Sequence, residues 1–147
     1  SHCDTKDGPV VADAIKAIGQ NNVNYALKWV QPEYEKEMTE SFALTMKVRT
    51  LSPEARELAD NYFYETLVRL HRTGEGMPYT GVKPHGSLAP LEKLVPKDKI
   101  PELQKRLEKV IALKNFDVNH VKAGRDYVEA YVQYFHFAEG EEENHLH

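Results

Sequence analysis

The chain is 147 residues long, 41% hydrophobic and 29% charged, with a net charge of −4. That is enough chain for one buried core, and the lack of any basic block sets nucleic acid aside as a partner. No apolar run approaches the roughly 18 residues that a membrane-spanning helix needs, so no membrane span is expected.

Helix signals dominate from the start. Gly8-Pro9 precedes "VVADAIKAI", with Pro at a favoured first helical position, and Gly19 with "QNN" is expected to stop that helix. "NVNYALKWV" reads as a second short helix, ended by Pro32. From Pro32 to about Thr50, Tyr34, Met38, Phe42 and Thr45 repeat at spacings of three and four, one stripe of a helix. Glu33, Glu35 and Glu37 fill its first turns, where negative charge suits the helix dipole.

"SPEARELADNYFYETLVRLHRTGEG" is the clearest helix. Ser52 is a good N-cap, Pro53 sits at the first position, and Gly74 and Gly76 end it. Its expected apolar face is Ala55, Leu58, Ala59, Tyr62, Phe63, Thr66 and Leu70. Residues 74–99 then carry four Pro and four Gly and read as one long connection, and loops of that length are usually functional or disordered. Pro101 opens a further helix with Leu103, Leu107, Val110 and Ile111 on one side. Asp117 is expected to cap the last helix, whose Val121, Gly124, Val128, Tyr131, Phe135 and Ala138 repeat as a bundle seam. Residues 140–147 form an acidic tail.

No run alternates with a period of two, so no strand is expected. The fold class predicted is all-α: a single domain over 1–147, an antiparallel bundle of four main helices plus short N-terminal helices, with one long Pro/Gly-rich loop.

The groups that could carry chemistry begin at the amino terminus. His2 and the single cysteine, Cys3, are adjacent in "SHCDTKDG". A thiolate is a soft metal ligand and an imidazole a borderline one. With the α-amine and deprotonated backbone amides they make a planar set suited to Cu or Ni ahead of Zn. Asp4 and Asp7 add oxygen donors within the first nine residues, which read as a hook. The chain begins without Met, which predicts a processed protein whose natural start lies near His2. Export to the periplasm or cell exterior, with a signal peptide removed, is the preferred source.

Within the helices, His71 lies on a stripe with Asp60, Tyr64 and Leu67. One reading has it near the helix end as a cation facing the dipole; the other has it as a ligand or proton relay. His136 follows Glu129 by seven residues and shares its face, so the pair either lines an interior site or faces solvent. Tyr127, Tyr131 and Tyr134 form an aromatic stripe more typical of a core than of a cofactor box. No HExxH or CxxC occurs, no two helices carry Glu-x-x-His, no elbow surrounds a Ser, and no phosphate-loop lysine follows Gly74 and Gly76.

The stretch "HCDTKDG" resembles the metal hook of nickel superoxide dismutases, which begins His-Cys-Asp and reaches a second Cys just before a Gly. Here Asp7 stands at that second Cys position, and the hook's proline is missing. The resemblance implies a metal hook laid against a helical bundle, with His2 and Cys3 as the matching ligands. Over its whole length the chain resembles an uncharacterised family of small exported bacterial helical proteins, through "HCDTKDGPV", "ETLVRLHR", "PYTG" and "YVEAYV". That resemblance implies a fold and an export route but no activity.

Two function classes follow. One is an exported metalloprotein with a transition metal on His2, Cys3 and Asp7 and bundle side chains such as His71 or His136, with redox activity as an option and an enzyme neither required nor excluded. The other is a metal-free module that holds a small molecule or peptide with the 74–99 loop or a bundle face. An oligomer is compatible with either.

Overall fold

Six α-helices and two 3-10 turns make up the regular structure of residues 8–74 and 96–139, which the computed structural model describes. The all-α expectation holds, and no strand occurs among the described residues. The chain divides into two compact units, residues 1–86 and 87–147.

The first unit begins with α1 (Pro9–Gln20), which buries Val10, Val11, Ala14, Ala17 and Ile18. It runs through Gly19 and ends at Asn21, whose φ of 50° and ψ of 48° put it in the left-handed region. Asn tolerates that conformation because its short polar side chain lowers the steric cost. The Asn21 and Asn22 N–H groups donate to the carbonyls of Ile18 and Ala17 and so close the last turn. Asn22 Oδ1 then accepts from Asn24 N at 3.0 Å, which starts the single turn α2 (Asn24–Leu27). Pro32–Tyr34 is a 3-10 turn rather than helix, and α3 (Glu35–Val48) follows, burying Met38, Ser41, Phe42 and Thr45.

The next helix, α4 (Pro53–Gly74), starts where its cap predicts, with Ala55 N donating to Ser52 Oγ at 3.0 Å. It pairs antiparallel with α3 through a Phe42–Phe63 ring contact at 5.5 Å and ion pairs from Arg49 to Asp60 and from Arg69 to Glu37. It also packs on α1. The buried face of α4 departs from expectation. Ala59, Phe63, Thr66 and Leu70 are inside, but Leu58 is 73% exposed and Tyr62 48%, while Leu67, Val68, His71 and Arg72 are buried. An expected apolar arc that includes Leu58, Tyr62 and Thr66 is wider than one neighbouring helix can cover. Only the second half of α4 is enclosed round most of its circumference.

Thr45 is 1% exposed, and its Oγ1 has no hydrogen-bond partner among the described residues. A buried hydroxyl with no acceptor loses hydration without return. Thr45→Val keeps the shape and removes the hydroxyl, so it is expected to stabilise the protein by about 1 kcal/mol, read as a rise in the urea midpoint at unchanged slope.

The second unit holds a 3-10 turn (Lys97–Lys99), α5 (Ile100–Leu113) and α6 (Val121–Glu139), packed on one another. The Arg106 guanidinium lies 4.5 Å from the centre of the Phe137 ring and its Nη1 donates to Gln133 O at 3.4 Å. Phe116, Tyr127, Tyr131 and Phe135 follow as successive ring contacts at 5.3, 6.1 and 4.6 Å. Gly124, Val128 and Ala138 of the expected seam are buried; Val121, Tyr131 and Phe135 are half-buried. On α5 only Val110 is buried, whereas Leu107 is 38% and Ile111 50% exposed. Two helices share one seam, and positions flanking it stay open. Asp117 does not cap α6. Its carboxylate accepts from Asn119 N at 2.9 Å in a turn before the helix, and the first α6 hydrogen bond runs from Gly124 N to His120 O.

Candidate functional site

Two of the buried polar side chains of the first unit, Lys28 and His71, and the partly buried Asp13 gather around Trp29. Asp13 stands in the apolar run of α1, and its Oδ2 accepts from Trp29 Nε1 at 2.8 Å and from Lys28 Nζ at 2.8 Å. The Lys28 ammonium also donates to Tyr25 O at 2.7 Å and lies 5.6 and 5.9 Å from the Tyr25 and Trp29 ring centres. Burial pushes the Lys28 pKa down, and the Asp13 charge opposes that shift. The carbonyl of the same Trp29 lies 2.7 Å from His71 Nδ1, and the two rings meet edge to face at 5.4 Å. Trp29 is therefore held from both ends, its indole by α1 and its backbone by α4.

A carbonyl oxygen only accepts, so Nδ1 of His71 carries the proton of that bond. In the neutral ring this leaves Nε2 as the nitrogen with the in-plane lone pair. Histidines that ligate metals carry the same arrangement, with the second nitrogen donating to a carbonyl or carboxylate. His71 is 4% exposed, and near the end of α4 its ring turns into the core, where Nδ1 meets the Trp29 carbonyl. Beside it on the expected stripe, Leu67 is fully buried. Asp60 clamps Arg49 with bonds of 3.0 and 3.3 Å, and burial followed by the Asp60 charge raises the Tyr64 pKa.

Of the other expected ligands, only His136 is among the described residues. His2, Cys3 and Asp7 lie outside the described residues, as do residues 75–95 of the long connection and the tail. His136 is half-buried on α6 in the second unit, and Glu129 is exposed and accepts from Gln133 Nε2 at 3.4 Å. Among the described residues no group of three or more His, Cys, Asp or Glu could hold a metal ion, and no helix is long and apolar enough to cross a membrane. Sequence reasoning missed Asp13, Lys28 and Trp29. Their one legible signal was a carboxylate inside "VVADAIKAI" and a single Trp beside a Lys.

Among known protein families, the model of a family of unknown function, DUF6448, matches residues 7–137. No curated protein and no solved structure matches.

Proposed function

The chain belongs to the DUF6448 family of unknown function, and from that premise we propose that it binds a transition metal, Cu or Ni ahead of Zn, through His2 and Cys3, with His71 as the ligand that the fold contributes. The observation that carries this reading is the bond from His71 Nδ1 to the Trp29 carbonyl, because it fixes the tautomer in which Nε2 is the donor. Two further points support it. His2 and Cys3 pair an imidazole with a thiolate, the donor types such ions prefer. The segment that carries them enters the fold at Gly8, a buried residue whose carbonyl accepts from Ala12 N at 3.0 Å, so its exit into α1 is anchored. We place the protein in the periplasm or outside the cell, where no cytosolic thiol pool competes for the metal.

Titration of the protein with Cu(II), Ni(II) and Zn(II), followed by absorption and calorimetry, tests the proposal. Wild type is expected to develop thiolate-to-metal absorption with Cu or Ni, and Cys3→Ser to lose it. His71→Asn keeps an N–H near the position of Nδ1 and removes Nε2, and is expected to weaken binding by about 10- to 100-fold. Uptake should release protons and strengthen as pH rises, since Cys3 must deprotonate. Equal uptake by wild type and Cys3→Ser, or none by either, overturns the reading. The metal-free module is favoured by a separate observation, the exposed leucines of the α3–α4 pair.

A further inference from the structure

One side of the α3–α4 pair is apolar and open. Leu44 is 52% exposed, Leu51 75%, Leu58 73% and Tyr62 48%. Their placement follows from the Glu37–Arg69 ion pair, which bridges the two helices. Leu44 and Val48 follow Glu37 by seven and eleven residues, and Tyr62 and Leu58 precede Arg69 by the same intervals. At 3.6 residues per turn each set shares the side of its charged partner. Leu51 and Ala55 continue the strip at the turn. Soluble monomers seldom leave a continuous apolar strip of this kind on a two-helix face.

The charges around the strip are self-complementary. The Phe42–Phe63 and Glu37–Arg69 contacts set an antiparallel register that brings Leu44 level with Tyr62. About that level, Glu40 precedes Leu44 by four residues and Lys47 follows it by three. On the other helix, Glu54 precedes Tyr62 by eight and Arg69 follows it by seven. Glu40, Lys47, Glu54 and Arg69 are all exposed. A twofold axis across the pair at Leu44 and Tyr62 therefore sets Glu40 opposite Lys47 of the second copy and brings Glu54 level with its Arg69, which Glu37 of that copy also holds, and symmetry makes each pairing occur twice. A lone amphipathic helix from another protein has no reason to match both spacings.

We propose that this face is a homodimer interface, in which the α3–α4 pairs of two copies stack antiparallel as a four-helix layer. Leu44 and Tyr62 lie at the axis, and Glu40 of each copy faces Lys47 of the other. The inference is independent of metal binding. Charge pairs of this type orient and select partners more than they add affinity, and the leucines supply the burial.

Analytical ultracentrifugation of the whole chain across a concentration series decides it. Wild type is expected to dimerise, with an association that weakens as salt rises. Leu44→Glu with Leu58→Glu changes only exposed positions and is expected to give a monomer of unchanged helix content. Glu40→Lys and Lys47→Glu alone each turn both symmetric pairings repulsive and are expected to weaken self-association about tenfold. Mixed together, those two variants should pair with each other at wild-type strength, and the double reversal in one chain should restore the homodimer. A monomeric wild type, a dimer that survives Leu44→Glu with Leu58→Glu, or single reversals without effect each overturns the proposal.

Discussion

Asp13→Ala is expected to cost about 3 kcal/mol of stability, at the lower end of the range for breaking a buried ion pair because the carboxylate retains some exposure. The side chains of Lys28 and Asp13 are 5% and 16% exposed. Removing the acid strands a buried ammonium and takes the acceptor from Trp29 Nε1 at the same time. Adding Lys28→Met should recover much of the loss, since the charge that needed a partner is gone. Urea unfolding of the wild type, the two single variants and the double variant measures the coupling. Independent, additive losses would contradict it. The pH dependence follows from the same pair. Burial lowers the Lys28 pKa in the folded state below its ordinary 10.5. The unfolded chain then holds more protons than the folded one between those two values, so this group makes stability rise with pH through that window and level off above 10.5. Lys28→Met should flatten that part of the profile.

Phe63→Ala is the second large loss, about 3 to 5 kcal/mol. Phe63 is fully buried at the centre of α4 and meets Phe42 edge to face. Truncation removes the ring's transfer energy, leaves a cavity between two helices and forfeits the aromatic contact. Phe63→Leu should cost distinctly less, because most of the volume stays. A Phe63→Ala loss no larger than that of an exposed substitution such as Tyr62→Ala would mean that α3 and α4 do not pack through this ring.

What the sequence announced and what it hid separate by range. The start of α4 was legible because Ser52 and Pro53 act on their own neighbours. The end of α1 was nearly so, with Asn21 rather than Gly19 taking the left-handed turn. Asp117 misled because the same side chain that caps helices also closes a turn one step earlier. Periodicity found the axis of α4 but not its rotation. Leu58 and Leu67 are equally apolar, and only the position of the neighbouring helices decides which is buried. His71 was visible as a candidate, yet its role depends on a backbone carbonyl 42 residues away, and a carbonyl leaves no trace in residue type. His136 was chosen on a shared face with Glu129, and the fold leaves His136 half-buried and Glu129 exposed.

The fixed indole of Trp29 has an experimental consequence. It is the single tryptophan of the chain and belongs to the first unit, with its N–H bonded to a carboxylate and its ring against an imidazole. Its fluorescence therefore watches one unit alone, while the second unit, built around Tyr127, Tyr131 and Phe135, is silent at the excitation edge selective for tryptophan. Monitoring denaturation once by that emission and once by far-ultraviolet ellipticity, to which both units contribute, turns the pair of curves into a measure of cooperativity. Coincident midpoints would report units that melt as one, and separated midpoints would resolve the stability of each without cutting the chain.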